Sequence, residues 1–357
     1  MLKRIAYAIT ASLLVASVAV AAPPKSQSKK EARETKPAET KAEMLGIVTG
    51  PKTGTYFAFG KDIAMVGEKI GITIDVKPSE GSIDNIKRIN SSENAALGIV
   101  QSDVLGFLAR SKSPDSIRMA SNLRMIFPFY NEEVHVLARK TIKNFSDLEG
   151  KKIAIGEEGS GNMLTAINLF SMMNVTPVEM RKIPPAQGVV AVLKGELDAV
   201  IYVAGKPVRL FKNLEDLTLP ENHKYAPMLE QVHFLPMDNP KMLEEYKPAE
   251  ITKNDYNFVG QKLPTIAVQA VMVSFDFSEG GNKKRCERLA NLGKALRAEL
   301  PMLKEKGHPK WKEVNLDAEL GLWKKDNCVW PPNAPAAEAD KSELGQDLIN
   351  IIEKNKQ

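Results

Sequence analysis

The feature that most constrains this chain is a pattern that occurs twice: a short apolar run, a glycine-bearing turn, then a segment of helical period. Leu45 to Val48 runs into Gly50-Pro51-Lys52-Thr53-Gly54-Thr55, and a helical pattern continues through Lys69. Ile72 to Val76 reads as a strand, Pro78 to Ser82 as a turn, Ile83 to Ile89 as a helix and Ala96 to Val100 as a further strand. The order then recurs. Lys152 to Ile155 ends in Gly156-Glu157-Glu158-Gly159-Ser160-Gly161, a helix follows from Met163 to Met173, and a helix ending near Lys194 leads to a strand at Ala199 to Val203. Ser92 to Val100 aligns with Gly195 to Val203 without a gap, and Gly50 aligns with Gly156. Strands alternating with helices imply a mostly parallel sheet. An offset of a little over one hundred residues is too long for a solenoid and suits two similar α/β lobes. The identities are few, so chance similarity is the competing explanation. Beyond Leu214 the chain is loop-rich. A strand is expected at Ala267 to Phe275, an amphipathic helix at Arg285 to Leu303, and a closing helix at Lys341 to Lys354 with Ser342 as its cap.

The N-terminus reads as a secretory signal over residues 1–21. Lys3 and Arg4 precede an apolar run from Ile5 to Val20, and Ala19-Val20-Ala21 offers small residues for cleavage. The alternative is an uncleaved anchor, for which the run is short against a span of about 20 residues. No cysteine lies near the cleavage site, so a lipid anchor is not supported. Residues 22–44 have almost no apolar content and read as a solvated tether. The net charge of +5 is concentrated in these flanks. Lys3 and Arg4 supply two charges, and residues 23–44 hold six basic against four acidic side chains, which leaves 45–357 near +1. A nucleic-acid binder concentrates basic charge on its folded part, so that class is set aside. Cys286 and Cys328 fit no zinc or redox spacing. In an oxidising compartment they are expected to form one disulfide, two unrelated thiols being the alternative.

Three strand-to-helix turns carry the chemistry: Gly50 to Tyr56, Ser79 to Asn85, and Gly156 to Asn162. The first turn of a helix has backbone N–H groups without partners and a partial positive charge, so an anion placed there satisfies both. Such turns lie at the carboxyl ends of strands, where ligands of open α/β sheets bind. The candidate ligand contacts are Thr53, Gly54, Thr55 and Tyr56, then Ser79, Ser82 and Asn85, then Ser160, Gly161 and Asn162. Gln101 and Asp103, just past a strand end, complete the set, and Lys52, Lys206 and Arg209 are possible partners for a carboxylate. The competing reading is that the Ser and Thr residues only cap their helices. Nucleotide and hydrolase motifs are absent: no lysine follows Gly161 as in a phosphate loop, and Ser160 lacks the G-x-S-x-G frame. His135, His223, His233 and His308 have no ligand spacing, and His135 reads as a core histidine. Ser146 to Glu149 reads as a capping box, and Trp311, Trp323 and Trp330 as packing residues. No metal or other cofactor is expected.

At these same residues the sequence resembles the TAXI family of solute receptors, which serve TRAP-type transporters. The matching motifs are Thr53-Gly54-Thr55-Tyr56, Gly81-Ser82-Ile83-Asp84-Asn85, Leu97 to Asp103, Asp147 to Lys152, Gly159-Ser160-Gly161 and Gly195 to Ala199, in family order over residues 45–305. The resemblance implies a type II periplasmic-binding-protein fold, with two α/β lobes, a hinge and a ligand cleft. It implies a monomeric, exported periplasmic receptor that binds a small anionic solute such as glutamate, glutamine or a dicarboxylate and hands it to a TRAP-type membrane permease subunit. Where this chain has Asn162 the family usually has Thr, and the region from His308 onward departs from the family ending. The expected division is 45–134 with 256–357 as one lobe and 135–255 as the other. A sensor or surface-interaction role without transport, and an enzyme on the same fold using Asp103, Ser160 or Glu158, are the rival readings.

Overall fold

The computed structural model describes residues 45–91, 95–111, 113–219, 221, 225–276 and 282–331. The expected signal, tether and closing helix, and His223, lie outside the described residues. Among the described residues ten strands form one sheet: β1 (Leu45–Val48), β2 (Ile74–Lys77), β3 (Leu97–Gln101), β4 (Leu123–Arg139), β5 (Lys152–Ala154), β6 (Glu179–Arg181), β7 (Ala199–Ala204), β8 (Val232–Phe234), β9 (Lys247–Ile251) and β10 (Leu263–Phe275). The helices are α1 (Thr55–Lys69), α2 (Ser82–Asn90), α3 (Val104–Ser111), α4 (Pro114–Asn122), α5 (Gly161–Met173), α6 (Pro185–Lys194), α7 (Arg209–Lys212), α8 (Ala226–Glu230) and α9 (Lys283–Lys306).

The strand order β2-β1-β3-β10-β4-β7-β5-β6 explains the recurrence in the sequence. β1 pairs in parallel with β2 and β3, and β5 pairs in parallel with β6 and β7. Between these two parallel sets run the long strands β10 and β4, antiparallel to each other and to their neighbours β3 and β7. β3 and β7, the strands of the gapless alignment, therefore occupy equivalent places beside the central pair. The α/β class with two lobes about a shared pair of strands is the architecture present. β8 and β9 add to β4 and β10 off this path.

β4 is the element that positions the site. Leu123 to Tyr130 and Val134 to Ala138 are apolar apart from Arg124 and His135, and these runs are buried as expected for a strand covered on both faces. Between them Asn131-Glu132-Glu133 places two buried carboxylates in mid-strand. Pro128 cannot donate to a ladder, and β4 and β10 change register beside it. His135 is fully buried, with Nδ1 2.9 Å from Glu133 O and Nε2 2.9 Å from Tyr256 Oη; burial lowers its pKa to about 4.

Residues 308–331 form a strap on the first half of the sheet. Trp311 is fully buried, stacks on Phe59 at 4.2 Å and donates from Nε1 to Asp62 at 2.7 Å. Trp323 and Trp330 donate to Ser102 O and Ile126 O at 3.0 and 2.8 Å. All three tryptophans are packing residues. A disulfide joins Cys286 on α9 to Cys328, their Cα atoms 5.2 Å apart.

The capping box is displaced from its expected place. Asn144, not Ser146, is the cap: its side chain accepts from Asp147 N at 3.3 Å, and Asp147 Oδ2 accepts from Asn144 N at 3.1 Å. Glu149 instead accepts from Thr176 N. The short helical turn starts two residues earlier than the Ser-x-x-Glu spacing indicates, because Asn is as good a cap as Ser.

Candidate functional site

A cavity of about 420 Å³ opens where the turns after β1 and β5 meet the centre of β4 and the end of β7. Its walls are the first turn of α1 with Thr53, Gly54, Thr55 and Tyr56, the starts of α2 and α5, and the segment from Tyr202 to Arg209. Tyr130 and Glu132 of β4 and Gln101 of β3 also line it.

The three helix starts are not equivalent. At α2 the amides of Ile83 and Asp84 both donate to Gly159 O, at 3.1 and 3.3 Å. The orphan donors of that helix are thus taken by the facing turn. At α5 Ser160 Oγ accepts from Met163 N at 3.2 Å and donates to Glu157 O at 2.6 Å, so this hydroxyl caps its own helix. α1 differs: its N-cap is Gly54, no side chain caps it and no acidic residue lies in its first turn. Thr55 and Tyr56 of its first turn line the cavity and its leading amides have no side-chain acceptor, which makes it the best-prepared anion contact of the three.

The turns are held close by glycines. Gly161 lies so near Gln101 that a Cβ at 161 would fall 2.2 Å from Gln101 Oε1. Gly156, at φ +90°, leaves room for Asn162, whose Oδ1 accepts from Val203 N at 2.8 Å.

The floor of the cavity is polar and buried. Tyr56 donates to Glu132 Oε2 at 2.6 Å. Glu132 Oε1 takes no hydrogen bond from a described residue, and the buried Tyr130 hydroxyl makes no hydrogen bond of good geometry, with the Thr55 side chain close to it. Burial pushes the Glu132 carboxyl up to about 8, against the opposing effect of the Tyr56 hydrogen bond. The Tyr56 and Tyr130 hydroxyls are raised as well, first by burial and then by the charge of Glu132. The other charged lining residues, Glu80, Glu157 and Arg209, are exposed at the rim. Among the described residues no group of three or more His, Cys, Asp or Glu side chains could hold a metal ion.

Residues 47–279 match the NMT1-like family. The chain belongs to that family. Among solved structures it is similar to the periplasmic binding protein BugD, at 13% identity and a TM-score of 0.46, covering 88% of this chain and 96% of that one. It is also similar to MatC from Rhodopseudomonas palustris with bound malate, at 12% identity, TM-score 0.46 and coverage of 87% and 97%. An ancestral arginine-binding protein bound to arginine is similar at 13% identity, TM-score 0.41 and coverage of 74% and 98%.

In this NMT1-like chain nine of the twelve candidate contacts line the cavity: Thr53, Gly54, Thr55, Tyr56, Ser82, Gln101, Ser160, Gly161 and Asn162. Ser82 Oγ there accepts from Gln101 N at 3.0 Å. Three candidates lie elsewhere. Ser79 Oγ accepts from Gly81 N within its own turn. Asn85 is buried under the cavity, where Nδ2 donates to Thr49 O and Ile99 O and ties β1 to β3. Asp103 accepts from Tyr246 Oη at 3.1 Å and Asn168 Nδ2 at 3.4 Å; burial raises its pKa to about 6. Lys206 is turned to Asp255 and Glu250 O, Lys52 is exposed outside the lining, and Arg209 lines the rim. Tyr130, Glu132 and Tyr202 were not among the candidates. The available signal was the polar triplet Asn131-Glu132-Glu133 inside an otherwise apolar strand.

Proposed function

We propose that this NMT1-like protein is an exported periplasmic receptor. On this reading it closes two lobes, 45–134 with 256–357 and 135–255, over a small carboxylate-bearing solute of the glutamate, glutamine or dicarboxylate kind. It then presents that solute to a TRAP-type membrane permease. The observation that carries the reading is the uncapped start of α1 facing a 420 Å³ cavity between the two parallel sets of strands. A solute carboxylate placed on those amides gains the hydrogen bonds and the helix field together. The volume suits a molecule of metabolite size. Closure is supported by contacts that cross the cavity, from Ile83 and Asp84 to Gly159 and from Thr165 to Gln101. The enzyme alternative is disfavoured by the occupations of its candidates. The Ser160 hydroxyl is committed to its cap, Glu158 pairs with Lys182, and Asp103 is buried away from the cavity against Tyr246 and Asn168. A thermal-shift screen of the purified protein against amino acids, dicarboxylates and neutral sugars tests the reading. A bound solute at a hundred times its Kd raises stability by about 2.7 kcal/mol. Stabilisation by sugars alone removes the carboxylate assignment. Restored uptake in cells given the receptor with its neighbouring permease tests the transport step.

A further inference from the structure

The floor of the cavity asks for something that a simple dicarboxylate does not bring. Glu132 Oε2 accepts from Tyr56, and Oε1 takes nothing from a described residue. Beside it the buried Tyr130 hydroxyl makes no hydrogen bond of good geometry, the Thr55 side chain being the polar group close to it. Two oxygens at the bottom of one cavity are thus left for a solute. Buried polar groups are almost always hydrogen-bonded, so the unmet Tyr130 hydroxyl beside the free Glu132 Oε1 marks where a ligand's polar atoms sit. The rim carries Glu80 and Glu157 against Arg209, so a doubly negative solute would meet like charge on balance there. The uncapped α1 start offsets a single carboxylate and no more.

We propose that Glu132 and Tyr130 form an ammonium-recognition corner, so that the solute is an α-amino acid and its deaminated counterpart is rejected. This rests on the receptor reading above. The solute carboxylate lies on the α1 amides, and its ammonium donates to Glu132 Oε1 and Tyr130 Oη. Tyr56 holds the Glu132 carboxylate in place through the 2.6 Å hydrogen bond and acts as a positioning residue. The titratable and charged groups that act on Glu132 are Tyr56, Tyr130, Tyr202, Glu133, Asp103 and Lys310, so the bound ammonium would be the cation in direct contact with it. A positive charge brought to that carboxyl favours its ionised form, and a carboxyl that enters the encounter protonated gives up its proton to solvent.

The experiment is titration calorimetry on the purified protein at pH 7, with the L-amino acids each paired with the acid lacking the amino group, such as L-glutamate with glutarate. Each titration is run in two buffers of different ionisation enthalpy. The expected result is at least tenfold tighter binding of one amino acid than of its deaminated partner, with proton release on binding. Glu132→Gln should weaken that amino acid at least tenfold while leaving the deaminated acid unchanged or tighter, and Tyr130→Phe should weaken it several-fold. Thermal midpoints of both variants check that the fold is intact. Equal or tighter binding of the deaminated acid, or proton uptake on binding, overturns the ammonium corner and leaves the carboxylate receptor standing. Binding of neither class overturns both.

Discussion

Replacing Glu132 by glutamine should stabilise the free protein, by an amount that depends on pH. In the folded chain the Glu132 carboxyl titrates near 8, and its ordinary value is 4.5. Below 4.5 the group is protonated whether the chain is folded or not, and burial then costs nothing extra. As pH rises the unfolded chain releases this proton and the folded chain keeps it, so the unfolded state gains. At pH 7 the difference spans about 2.5 units of pH, worth about 3 kcal/mol against folding. Above pH 8 the loss levels off at about 5 kcal/mol. Glutamine carries no such proton and can still accept from Tyr56. Urea midpoints of the two proteins should therefore nearly coincide at pH 4 and separate progressively toward pH 8.5, with Glu132→Gln the more resistant. A constant separation at every pH, or a variant less stable than the parent at pH 8.5, would refute the account of a carboxyl whose burial is uncompensated.

Three other substitutions address closure and the strap. Gly161→Ala puts a Cβ 2.2 Å from Gln101 Oε1, so closure is obstructed: a loss of about 1–3 kcal/mol and a larger radius of gyration in the presence of solute are expected by urea titration and small-angle scattering. Asn168→Ala removes donors to Asp103 O and the acceptor of Arg110 Nη1, across the contact of α3 with α5, and should cost about 1–3 kcal/mol of stability and weaken solute binding; unchanged affinity would remove this network from the closing contacts. Cutting the disulfide with paired Cys286→Ser and Cys328→Ser opens a loop with a sequence separation of 42, for which chain entropy gives about 4 kcal/mol, read as a lower urea midpoint that reducing agent no longer affects.

Much of the fold was legible because glycine and alternation speak locally. Gly50, Gly54, Gly156 and Gly161 punctuate the strand-to-helix turns, and α1, α5 and β7 fall within two residues of their expected ends. The first half of β4 was not expected as strand. Pro128 argues against a central strand unless the partner changes register beside it, and that compensation sits on β10, far away in sequence. Glu132 was missed for a related reason: a carboxylate in an apolar run shows its role only when three-dimensional packing denies it water. The turns themselves were found, but not which of them is free. That α2 gives its amides to Gly159 while α1 keeps its own depends on contact between segments about 75 residues apart, as the numbers of Ile83 and Gly159 show.

The free α1 start and the uncompensated Glu132 belong to one physical situation. On either side of the triplet β4 is built from residues that cost nothing to bury, such as Phe129 and Val134, and an apolar residue at 132 would leave the fold more stable at neutral pH. The chain instead carries a penalty of several kcal/mol at the one point where both parallel sets of strands, the helix field and two tyrosine hydroxyls converge. Elsewhere several buried polar groups are provided for, although Asn85 Oδ1 and Asp103 Oδ1 also lack a partner. Asn168 is bonded at both ends of its amide, His135 at both ring nitrogens, and Asp326 by Ser274 and two backbone amides. On the proposed receptor reading, the Tyr130 hydroxyl and the free side of Glu132 are the groups in the cavity that a solute would complete. On the proposed reading, binding would recover stability that folding alone forgoes, and the gain would be available only in an arrangement that brings Gly161 to Gln101. Selectivity and closure would thus draw on the same unmet groups, and filling or neutralising them by substitution should weaken both together.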